Sequence, residues 1–298
     1  MQDSGKKAAA VIAVLMAVGV TVLRVVLVTQ AETAWFQYGM IGLLVVTMLV
    51  MAVLVNKKRE PLPAVGGVFL IPGAVLSMLC GSVMLVTTIY DGWMWLSKGK
   101  TPPPNDCILG NVDAFMLACA IVFGILGGIF LIQLGLQWVS DNGSVAGRFR
   151  LMALAPVLWV WMRLARYEMS YASAVSIGQS FYDFMMLIVM LLFFFAFARY
   201  VSGVGTRSPK QLLTFALCTG LLSISGPLTR FGLYLTNELD GVLASQLAGP
   251  TDLCIGIFAL YLAFALAFAY PQEEQPAADE TETAAEEPAE LAGSDRTE

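Results

Sequence analysis

The chain has 298 residues, 58% of them hydrophobic and only 13% charged, about half the charged share of a soluble domain. That composition excludes an ordinary water-soluble globule and points to the membrane class. The net charge of −5 is no guide to a substrate: residues 272–298 alone hold ten acids and one arginine, leaving sixteen basic residues against twelve acidic ones elsewhere.

A helix rises about 1.5 Å per residue and the hydrocarbon core is about 30 Å thick, so roughly 20 apolar residues are needed to cross it. Eight stretches approach or reach that length: Ala8–Val28, Tyr38–Val55, Val65–Ile89, Asp113–Val139, Leu151–Tyr171, Phe181–Tyr200, Gln211–Phe231 and Asp252–Tyr270. The expected fold is all-α, a polytopic integral membrane protein with eight transmembrane helices in one domain over residues 1–271. The first stretch follows Lys6 and Lys7 as a signal peptide would. Arg24 and the seven spans after it mark it as a retained helix.

Lys6, Lys7, Lys57, Lys58, Arg59, Arg148, Arg150, Arg199, Arg207 and Lys210 fall on one side of these spans, whereas the opposite loops hold only Lys98 and Lys100. By the positive-inside rule both termini are cytoplasmic. The composition resembles that of small polytopic bacterial membrane proteins, so a bacterial cell membrane is the expected setting.

The longest outer loop, Tyr90 to Asn111, combines Trp93 and Trp95 with Pro102, Pro103 and Pro104. Indoles favour the headgroup zone and consecutive prolines hold an extended chain, which reads as an interfacial cap rather than a gating lid. Gly73, Ser77 and Gly81 recur every fourth residue in the third span, as do Ala120, Gly124 and Gly128 in the fourth. Rows of small residues let backbones approach closely, so these two helices should pack together. Pro72, Pro156 and Pro227 each fall within a span and each removes a backbone donor. Pro227 follows Ser223-Ile224-Ser225-Gly226, a place for either a kink or a helix broken at a binding site.

Residues 272–298 mix Glu, Ala, Pro and Thr with almost no apolar bulk and should form a disordered, acidic cytoplasmic tail available to a protein partner. The first four and last four spans also correspond loosely, with Arg24 and Arg163, and likewise Asp113 and Asp252, both 139 residues apart. A duplication would give two parallel four-helix repeats about an axis normal to the membrane.

The charges inside the spans carry the functional expectation. Arg24, Arg163, Arg166 and Arg230 lie toward the outer ends of outward-running helices, and Asp113, Asp183 and Asp252 open inward-running ones. Helix dipoles and capping account for part of this pattern, with Asn111 or Thr251 before the aspartates and the Ser180-x-x-Asp183 spacing as capping devices. Arg163 resists that account. Counted from Arg150 it lies about 20 Å into the membrane, and Asp183 lies about 24 Å from the same face when counted back from Arg199. An arginine that deep costs at least about 2.5 kcal/mol unless it faces protein, water or an opposite charge. Arg163, Arg166, Tyr167 and Ser170 share a helical face, whereas Glu168 points elsewhere, and a short connection from Ala172 to Gly178 would set that face against Asp183.

One expectation is therefore an outward-facing site built from Arg163, Arg166, Tyr167, Ser170 and Asp183 that binds or transports a small anionic solute, supported by Arg24, Asp113, Arg230 and Asp252. The alternative is a non-transporting scaffold, sensor or assembly component in which the Arg/Asp layer is structural. No HExxH, GxSxG or P-loop pattern occurs, so no enzyme activity is expected. Histidine is absent and only Cys107 of the five cysteines lies in a loop, which leaves no metal site or cofactor to expect. Nothing suggests a nucleic-acid partner.

Overall fold

The computed structural model describes residues 4–30, 34–56, 70–99, 110–140, 151–169, 177–202, 208–235 and 249–268. Among these it is entirely helical: α1 Ser4–Gln30, α2 Ala34–Asn56, α3 Leu70–Lys98, α4 Gly110–Ser140, α5 Ala155–Met169, α6 Ile177–Val201, α7 Ser208–Leu235 and α8 Pro250–Phe268, with a 3-10 turn at Met152–Leu154 before α5. Helices are what an apolar environment demands, because each satisfies its backbone polar groups internally.

Six of the eight, α1, α3, α4, α6, α7 and α8, are long and apolar enough to cross a membrane. In α2 the apolar stretch among the described residues is Ile41–Val55. Within the expected fifth span Leu151–Tyr171, α5 itself is 15 residues long, or roughly 22 Å. Residues 272–298, the expected acidic tail, lie outside the described residues.

Helix limits also revise three local readings. Because α3 runs on to Lys98, Asp91, Trp93 and Trp95 are helical residues and not loop ones, and Lys98 stands over the Trp93 ring at 5.2 Å. The three prolines after Lys100 lie outside the described residues. Pro72 and Pro156 fall in the first turns of α3 and α5, where the missing donor would be unpaired in any case. Only Pro227 is interior, and α7 continues through it without a break.

The bundle is organised around α7, of which 78% of the apolar window is buried against 33% in α1. It packs on α8, α6, α1 and α2. Phe193 and Phe197 of α6 meet Phe258 of α8 edge-on, Phe197 at 5.7 Å between ring centres. At opposite ends of α1, Lys7 sits over Phe268 and Arg24 over Tyr182. Hence α1 runs antiparallel to both α8 and α6.

The most extensive packing joins α3 to α4, as the rows of small residues imply. A Cβ on Gly81 would stand 2.6 Å from the Gly128 carbonyl oxygen, and one on Gly128 would stand 2.9 Å from that of Gly81. Gly135 is equally tight against the Ala74 carbonyl, at 2.6 Å. Ser77 ties the seam further by donating to the Leu131 carbonyl at 2.7 Å. No side chain fits between backbones this close, so Gly128→Leu should destabilise the protein by about 2 kcal/mol or more. Unfolding in mixed micelles of increasing dodecyl sulfate content measures this; an unchanged midpoint would show that the seam is loose.

Candidate functional site

Two forked ion pairs in the charged layer join the C-terminal half of α5 to the first turns of α8 and α4. Arg163 grips Asp252 in the first turn of α8 with both arms of its guanidinium, Nη1 to Oδ1 at 2.6 Å and Nη2 to Oδ2 at 3.0 Å. One turn earlier on α5, Trp159 presents its ring to the same guanidinium at 4.6 Å. Arg166 binds Asp113 in the first turn of α4, Nε to Oδ1 at 2.6 Å and Nη2 to Oδ2 at 3.4 Å. These are charge-assisted, forked contacts, the geometry in which an arginine binds a carboxylate most strongly.

Three residues of separation place Arg163 and Arg166 on neighbouring strips of the helix, which is why one side chain reaches α8 and the other α4. The sites are dry. Asp252 is 1% exposed, Arg166 4% and Asp113 7%, while the Arg163 side chain keeps 15%.

The sequence sets Arg163 or Arg166 against Asp183, and the carboxylates on which the two guanidiniums fork are those of Asp252 and Asp113. Two features of the helices favour these acids. Helix α6 begins at Ile177, so Asp183 stands well inside that helix instead of opening it. Also, α5 packs on α4 more extensively than on α6. Asp183 is nonetheless buried and its charge acts on Arg163 and on Arg230.

Tyr167 is half-buried and packs against the apolar core, and Ser170 lies outside the described residues. Glu168 is exposed, away from the pairs. Arg24 belongs to the same end of the bundle, its guanidinium 3.7 Å from the centre of the Tyr182 ring. The Tyr182 hydroxyl in turn donates to the Leu222 carbonyl of α7 at 2.7 Å and meets Ser225.

Sequence reasoning missed Asp91. It lies within electrostatic reach of both Arg163 and Arg166, brought there by the two extra turns of α3. An acid immediately after an apolar span was the available signal. The capping reading is also refined: Asp252 reaches back to accept the Gly249 N–H at 2.9 Å, the carboxylate half of a capping box. Thr251 instead shares a 2.7 Å hydrogen bond with Thr87 of α3. Asp252 thus serves a helix cap and an ion pair together.

Among the described residues, Arg24, Arg163, Arg166 and Arg230 share this layer with Asp91, Asp113, Asp183 and Asp252, with the exposed Glu168 also at this level. Among the described residues no group of three His, Cys, Asp or Glu side chains is placed to hold a metal ion. No family model, curated protein or solved structure matches the chain.

Removing one member of a buried pair strands the other charge, which costs about 3–5 kcal/mol. Asp113→Ala should therefore lower the dodecyl sulfate midpoint sharply, whereas Glu168→Ala, on an exposed side chain, should leave it in place. Equal effects of the two substitutions would mean that the Arg166–Asp113 pair holds nothing together.

Proposed function

We propose that the chain is a non-transporting component of a bacterial cell membrane, a scaffold, sensor or assembly partner whose Arg/Asp layer locks α5 to α4 and α8. The observation behind this reading is that the two cations best placed to grasp an anion already hold carboxylates. A solute entering here would have to displace Asp252 or Asp113 from contacts at 2.6 Å. In this reading the chain crosses the membrane eight times with both termini cytoplasmic, the outward-facing helix faces or the acidic segment 272–298 meeting a protein partner.

A duplicated arrangement is favoured by the matched pairings of α3 with α4 and of α7 with α8. It is favoured too by the equivalent roles of Asp113 and Asp252, each a first-turn acid bound by an arginine of α5.

A second reading, binding or transport of a small anionic solute, draws on Arg163. That side chain retains some exposure and has three acids within reach, Asp252, Asp91 and Asp183, so its partner could be exchanged when an anion arrives.

The two readings part on a paired substitution. If the layer is a lock, Arg163→Leu alone should cut accumulation in the membrane fraction several-fold. Arg163→Leu combined with Asp252→Leu should restore it, because apolar residues can replace an intact buried pair at little cost. Normal accumulation and melting of the single variant would sink the lock and favour the solute.

A further inference from the structure

Helices α7 and α8 are pressed together at one level and parted at another. At the tight level, a Cβ on Gly256 would lie 3.0 Å from the Ser223 Cβ, and one on Gly220 would lie 3.0 Å from the Leu260 Cβ. Arg230 lies ten residues after Gly220 on α7, about 15 Å further along the axis. There the end of α7 and the start of α8 bound a cavity of about 510 Å³, within the usual span of roughly 300–1,000 Å³ for ligand sites. Pro227, Leu228, Phe231 and Leu253 give it apolar walls, and Arg230 and Tyr234 supply the polar groups.

We propose that this cavity binds an anionic phospholipid, its phosphate at Arg230 and Tyr234 and the beginning of its acyl chains along Phe231 and Leu253. The cavity is on the surface of the bundle, since Phe231 is 58% and Tyr234 66% exposed. A guanidinium offers five N–H donors in a plane suited to phosphate oxygens, and a phenol adds one more.

The carboxylates of Asp183 and Asp252 lie within electrostatic reach of Arg230. Asp252 is itself neutralised by Arg163, so it does not present a bare negative charge to an incoming headgroup. The lock and the cavity use different donors, Arg163 and Arg230, beside the same Asp252.

The test uses the full chain purified in dodecyl maltoside, with melting followed on adding dioleoylphosphatidylglycerol, dioleoylphosphatidylcholine or inorganic phosphate. Phosphatidylglycerol well above its dissociation constant should raise the melting temperature by at least about 3 °C. Phosphatidylcholine and inorganic phosphate should each do markedly less. Arg230→Gln should remove the advantage of the anionic lipid. If that variant fails to fold, Leu253→Trp, which fills the cavity and leaves Arg230 in place, decides the matter by abolishing the shift. Equal shifts from the two lipids, a full shift from inorganic phosphate, or a shift that survives Leu253→Trp would overturn the proposal.

Discussion

A guanidinium inside a dry helical bundle must be answered by an acceptor, and the arrangement of α3, α4, α5 and α8 follows from how two of them are answered. Arg163 and Arg166 leave the same short helix in different directions and close on Asp252 and Asp113. Desolvating these ions is costly, and the attraction between partners offsets that cost only when the geometry is close and forked. Each pair therefore tolerates little displacement of the helices that carry it. The first turns of α4 and α8 are in effect pinned to one face of α5.

That pinning is possible because the backbones around it come unusually near each other. Gly81 and Gly128 bring α3 against α4, and Gly220 and Gly256 bring α7 against α8. Without a strong hydrophobic drive between helices in lipid, such contact, together with hydrogen bonds like that from Ser77 to the Leu131 carbonyl, supplies the packing. Charge and small residues act at different levels. Along the length of the bundle glycines set the spacing, and at one end of it arginines and aspartates set the register. Thr87 and Thr251 join α3 to α8 beside the pairs, so the charged layer extends into a polar one.

Gly220 and Gly256 hold α7 and α8 close at one level. Beyond that level α7 and α8 bound a hollow beside Arg230. Pro227, interior to α7, contributes wall without a backbone donor that would need a partner there.

Much of this was legible in the linear chain. Apolar length alone determines an all-helical bundle, and the four-residue spacing of Gly73, Ser77, Gly81 and of Ala120, Gly124, Gly128 determines that α3 and α4 adjoin, because spacing of that kind is read directly as a helix face. The depth of Arg163 likewise determines that it needs a partner. Which carboxylate answers it was decided only by the tertiary structure: chain proximity favoured Asp183 across a short connection, but partner choice depends on where a helix begins and which strip of it faces inward. Helix α6 starts at Ile177 and α3 continues to Lys98, shifts of a turn or two that moved Asp183 inward and brought Asp91 to the arginines. An ion pair closes over about 3 Å, less than the 5.4 Å pitch of one helical turn, so a boundary known only to within a turn cannot name the pair.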